Sequence, residues 1–195
     1  MRNEASERLK RHLRPGRVYR REELLRWSKS LDRHLKALTS NRSLQKIRTG
    51  LYYCPRKFEF GEAPPDEHEI IKAFLRTDRF VITSPNAYNK LGLGMTQLYN
   101  KRVVYNQKRH GVYRFGNQML TFERRHNVPK RLSPEFLLVD LVNELDRLAE
   151  DRDAVLSRVS HKAQEMDRRN LSRAVSLYGK HSTQKKFKEI LQPAG

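Results

Sequence analysis

Eight side chains between residues 29 and 48 have the types and spacing to hold a polyanion. Lys29, Ser30, Arg33, Lys36 and Ser40 recur at roughly helical intervals, and Arg42, Lys46 and Arg48 continue the run. At about 100° per residue, Lys29, Arg33, Lys36 and Ser40 fall on one side of a helix and Leu31, Leu35 and Leu38 on the other, with Asp32 and His34 flanking both. Such a helix can be held by a core on one side while the other meets phosphates and base edges. Catalysis needs a constellation, and none assembles. The histidines at 12, 34, 68, 110, 126, 161 and 181 lack metal-binding spacing. Cys54 has no evident base beside it. The carboxylates of Asp66, Glu67 and Glu69, and of Glu150, Asp151 and Asp153, suit helix starts or solvated faces. Gly92-Leu93-Gly94 lacks the spacing of a phosphate-cradling loop. The region expected to form a sheet is almost purely basic, whereas a Mg²⁺-dependent nuclease wants acids there. The chain therefore reads as a non-enzyme with no metal and no cofactor.

The basic helix needs elements to hold it. Leu9 and Leu13 mark one face of a preceding helix, which Pro15-Gly16 stops. Glu22 and Glu23 suit the first turn of a second helix, whose buried side is expected to be Leu24, Leu25 and Trp27. Ser28-Lys29-Ser30 forms the turn, with Ser30 placed to cap the basic helix. Leu44–Arg48 and Leu51–Tyr53 read as a hairpin around Gly50, with Lys46 and Arg48 sharing a strand face along the sugar-phosphate backbone. Helix, helix, basic helix and basic ribbon in this order predict a winged helix-turn-helix over residues 1–55.

Residues 55–65, PRKFEFGEAPP, read as a Pro-rich linker, and 66–195 as a second domain. The pattern there predicts a helix from Asp66 to Arg76, a strand at 79–83 and a short helix from Pro85 to Leu91 capped by Gly92. Strands follow at 102–106, 111–115 and 119–123, the last two joined by a Gly116-Asn117 turn. Helices are expected from Ser133-Pro134, over 151–163 and 164–178, and near 182–191. The fold class is thus α+β: a winged helix-turn-helix, then a mixed domain with a small antiparallel sheet and C-terminal helices. Lys101, Arg102, Lys108, Arg109, Arg114, Arg124 and Arg125 decorate the sheet, with Tyr99, Tyr105 and Tyr113 interleaved. This alternative surface suits RNA or single-stranded nucleic acid, because bases stack on aromatics while cations track the backbone. The tyrosines read equally as ordinary strand residues.

Composition agrees with a polyanionic partner. The formal net charge is +19 over 195 residues, and residues 1–53 alone carry 15 Lys and Arg against 5 Asp and Glu. With 37% hydrophobic residues the chain can bury a core. No apolar run approaches the ~18 residues of a membrane span, the first residues lack a signal peptide's apolar centre, and one cysteine excludes an internal disulfide. A cytoplasmic location and no membrane partner are the expectation.

The wording of particular stretches adds a resemblance. GLYYCP, FGEAPPDE, SPNAYNKLGLGMTQLYN, VVYNQKRHG and SPEFLLVDLVNEL resemble the AbiEi-type antitoxins of type IV toxin–antitoxin systems over about residues 5–150. The resemblance is strongest over 84–112. It implies a bacterial transcriptional regulator whose N-terminal winged helix binds repeats in its own promoter and represses the operon. It also implies a C-terminal domain that counters a nucleotidyltransferase-like toxin without a stable complex. The DNA-binding role maps onto Lys29, Ser30, Arg33, Lys36, Ser40, Arg42, Lys46 and Arg48, on a protein expected to be a monomer or a weak dimer on double-stranded promoter DNA. No catalytic residue is implied.

Overall fold

A computed structural model describes residues 4–95 and 97–192 and shows an α+β chain. It divides into two compact units, one of residues 1–78 with 112–120, the other of residues 79–111 with 121–195.

In the first unit, α1 (Glu4–Arg11), β1 (Val18–Arg20), α2 (Arg21–Leu24), a 3₁₀ turn (Leu25–Trp27) and α3 (Leu31–Ser40) precede β2 (Gln45–Arg48) and β3 (Leu51–Tyr53). β3 is central and antiparallel to both β1 and β2. The apolar spacing of α3 closes one core, in which Leu31, Leu35 and Leu38 meet Leu9, Tyr19, Leu24, Leu44 and Tyr52. Gly50 takes the turn between β2 and β3 with φ +80°, a backbone region costly for a residue with a Cβ. The second helix is shorter than its pattern predicts. It tightens to 3₁₀ after Leu24, which leaves Leu25 45% exposed instead of buried. Ser30 sits at the N-cap position of α3, yet its side chain makes no capping bond.

The expected linker is structured. Lys57–Phe58 (β4) and Gly61–Glu62 (β5) pair as a small ribbon, and the Tyr53 hydroxyl donates to the Ala63 carbonyl at 2.9 Å. Residues 55–65 therefore lie inside the first unit, which continues through α4 (Glu67–Leu75). Asp66 caps α4 by accepting the Glu69 N–H, and Arg76 ends it in the left-handed region at φ 58°.

The second unit starts with β6 (Phe80–Thr83) and a 3₁₀ helix (Pro85–Leu91) ended by Gly92 at φ 68°. β7 (Val103–Asn106), β8 (Gly111–Phe115) and β9 (Gln118–Arg124) follow, in the strand order β6-β7-β9-β8. β6 and β7 are antiparallel, but β7 and β9 are parallel, so this sheet is mixed where an antiparallel one was expected. The reason is topological: β8 leads out and the Gly116-Asn117 turn returns β9, not β8, to the side of β7. From Val112 β8 belongs to the first unit, and β9 is divided between the units, its residues through Leu120 in the first and those from Thr121 in the second.

Helices α5 (Pro134–Glu144), α6 (Arg152–Glu165), α7 (Arg168–Tyr178) and α8 (His181–Ile190) complete the chain. Ser133, Asp151 and Asp167 cap the first three by accepting N–H groups of Phe136, Ala154 and Asn170. Each such cap is worth about 1 kcal/mol. Their core gathers Leu137, Leu138 and Leu141 with Val155, Val159, Leu171 and Phe187.

Candidate nucleic-acid interface

Packing of Leu31, Leu35 and Leu38, each no more than 4% exposed, forces the opposite face of α3 outward. Lys29, Ser30, Arg33, Lys36 and Ser40 are all exposed there. The helix is held at its start by Arg21, whose Nε and Nη2 both donate to Asp32 over 2.8–3.0 Å. The bond from Arg21 holds the Asp32 carboxyl below its ordinary value. Ser40 donates its hydroxyl proton to the Lys36 carbonyl at 2.8 Å and keeps only acceptor capacity. Arg42, exposed, follows α3 with φ 58°.

Beside the start of α3 lies a cleft of about 580 Å³ that the sequence pattern did not single out. Arg8, Arg26, Lys29 and Arg33 line it, and no carboxylate does. His12 stacks on Trp27 with centroids 4.9 Å apart and planes 8° off parallel. Buried His34 shares a 2.7 Å hydrogen bond between its Nδ1 and Ser28 Oγ. Among the described residues, the four cations, the Trp27 indole N–H and His34 Nε2 have no bonding partner. The cleft is chemically suited to an anion, and its cations to phosphate oxygens. The signal in the sequence is Arg8 in α1 and His12 just past its end, four residues apart, beside the apolar spacing of Leu9 and Leu13.

The β2–β3 ribbon departs from its expected form. The register pairs Lys46 with Tyr52 but Arg48 with Leu51, leaving Ile47 as a bulge. Tyr52 and Leu51 are adjacent on β3 and point to opposite faces, so Lys46 and Arg48 do too. The shared face expected for this pair is thereby corrected. Lys46 is exposed; the Arg48 guanidinium is half-buried among three rings, 5.1 Å from Phe74, 4.9 Å from Tyr113 and 5.7 Å from Phe115. The Gly116 N–H donates to the bulged Ile47 carbonyl at 2.9 Å, fixing the turn of the β8–β9 hairpin to the ribbon.

On the alternative surface, Lys101, Arg102, Lys108, Arg109, Arg114 and Arg124 are exposed. The fully buried Asn106 shapes part of it, since its side-chain oxygen accepts the N–H groups of Lys108 and Arg109. Arg125 is not on that surface. Its side chain, 17% exposed, donates to Glu123 and Glu144 and lies 4.3 Å over the Tyr105 ring. The tyrosines are engaged as well: Tyr105 and Tyr88 both donate to Asp140 Oδ2, at 2.8 and 2.9 Å, the Tyr99 hydroxyl accepts the Ala149 N–H, and Tyr113 belongs to the Arg48 cage.

The buried cluster around Asp140, 1% exposed, is satisfied throughout. Burial pushes the Asp140 carboxyl up, against the pull of Arg125 and the two hydroxyls. Burial also acts to raise Glu144, but bonds from Lys180 and the charges of Arg125 and Arg147 hold it below its ordinary value. Matched groups of this kind fix α5 in place. Among the described residues no cluster of His, Cys, Asp or Glu has the makings of a metal site, and no helix is long and apolar enough to cross a membrane.

Compared with models of known protein families, with curated protein sequences and with solved structures, the chain finds no match in any of the three.

Proposed function

We propose that the protein is a DNA-binding transcriptional regulator, a winged helix of the AbiEi antitoxin type that represses its own operon. The single observation that carries the reading is the α3 face, where Lys29, Arg33 and Lys36 stand exposed opposite a fully packed leucine stripe. The adjoining cleft, lined by four cations without a bonding partner among the described residues and by no carboxylate, gives backbone phosphates a seat beside a helix that reads bases. Lys46 on the ribbon adds a further phosphate contact. The single-strand reading loses its stacking platform, since Tyr99, Tyr105 and Tyr113 are all committed to the fold. Bacterial cytoplasm as the location, and a nucleotidyltransferase-like toxin as the functional counterpart, follow from the family resemblance.

The test uses the full chain, with DNA from upstream of its own reading frame and random duplex as probes, by fluorescence anisotropy at fixed salt. Arg33→Ala with Lys36→Ala should weaken the upstream duplex by about tenfold or more while circular dichroism stays unchanged. Lys46→Ala should weaken both duplexes alike and lower the salt slope by about 1. Unaltered binding by the α3 double variant would sink the reading.

A further inference from the structure

We infer that a cleft in the second unit, between the segment preceding α5 and helix α7, is a binding site for a nucleotide, held by its phosphate and its base. The cleft measures about 560 Å³. Lys130, Arg131 and Arg173 line it, and Glu135 is the one carboxylate among its lining residues. None of these four side chains has an ion-pair or hydrogen-bond partner among the described residues. The contrast with the Glu144 cluster is informative: there Arg125, Arg147 and Lys180 are each bonded to a carboxylate. Cations left without acids at a concave site are suited to an external anion.

Three cations and one carboxylate leave two positive charges, the complement of a phosphate monoester carrying about −1.5 to −2 at neutral pH. A phosphate alone would leave most of the space empty, and the volume falls in the usual range of about 300–1,000 Å³ for organic ligands. The rest of the lining suits a flat, partly apolar group. Phe136 and Tyr178 meet edge to face at 5.1 Å, Tyr178 is half-buried with no partner on its hydroxyl among the described residues, and Leu177 is exposed. The exposed Asn170 carboxamide offers both a donor and an acceptor to a base edge. The anion is not assigned to the helix end, because Ser133 already accepts the Phe136 N–H there. Phosphate, ring and amide requirements together specify a nucleotide, supplied either free or as the 5′-phosphorylated end of a strand.

Calorimetric titration of the full chain tests this with AMP, UMP, inorganic phosphate and uridine as separate probes. The nucleotides should bind at least about tenfold tighter than phosphate or uridine, and Arg173→Ala should lower their affinity about tenfold or more. Lys130→Ala with Arg131→Ala should reproduce that loss, whereas Arg33→Ala with Lys36→Ala should leave nucleotide binding unchanged. Phosphate binding as tightly as UMP, or full affinity in both cleft variants, overturns the inference. A short 5′-phosphorylated oligouridine distinguishes the sources: tighter binding than UMP identifies a strand end, and equal or weaker binding a free nucleotide. An unphosphorylated oligomer binding as well as the phosphorylated one also overturns it.

Discussion

Lys46 and Arg48 stand two residues apart in one strand, with the same charge, and one bulged isoleucine gives them different work. Lys46 ends in solvent, whereas Arg48 is sandwiched by Phe74, Tyr113 and Phe115. A guanidinium partly shielded from water over aromatic faces contributes about 1–2 kcal/mol. Arg48→Ala should therefore lower the urea-unfolding free energy of the first unit by about that amount, and Arg48→Lys should recover only part, because an ammonium cannot stack flat on a ring. Lys46→Ala should stay within about 0.5 kcal/mol of the parent. Equal losses at the two positions would show that charge, not stacking, is what the ribbon uses. Cys54 is a second residue whose setting decides its chemistry. It is buried in the first core, and burial pushes its thiol up, away from the thiolate a nucleophile needs.

At the scale of elements, α5 is the helix that organises the second unit, and it does so with charge as well as leucine. Glu144 binds Arg125, Arg147 and Lys180 at 2.8–3.0 Å with its own side chain only 10% exposed. Its carboxyl is held below the ordinary 4.5, so its stabilisation is complete above that value and is lost as pH falls through the lower folded value. Glu144→Gln should cost about 2–3 kcal/mol at pH 7 in urea unfolding. The gap between variant and parent should shrink steadily below about pH 4.5. Asp140, raised by burial, carries the opposite sign, which is why the comparison between chains and not the parent's own acid curve isolates Glu144. A gap independent of pH would assign the loss to packing. This network lies at the boundary of what the sequence makes legible. The leucine stripe of α3 and the helix starts at Ser133 and Asp66 follow from local spacing and are legible, whereas the cap expected of Ser30 does not form. The bulge at Ile47 is not legible, since no glycine or proline announces it, and neither is the parallel pairing of β7 with β9, because a strand's neighbour is chosen by distant chain. Arg125 looked like one surface cation among many. The hint to the contrary is Asp140 and Glu144, four apart in a helix rich in leucine and valine.

The whole molecule is two units, but its chain does not pass once from the first to the second. It leaves the first after residue 78 and returns for residues 112–120, which supply Tyr113 and Phe115 to Arg48 and the Gly116 N–H to Ile47. A fragment of residues 1–78 should therefore unfold at lower urea than the same unit in the full chain, by about 1–2 kcal/mol. A peptide of residues 111–120 added in trans should recover part of the difference. Identical midpoints without the peptide would show that the hairpin contributes nothing to the first unit. The same detour sets a timetable during synthesis. At about 5–20 residues per second, Ile47 leaves the ribosome several seconds before Gly116 exists to bond it. The basic helix is thus complete in the nascent chain while the ribbon beside it still waits for the β8–β9 hairpin. A newborn first unit is, for that interval, a looser polycation than the finished protein.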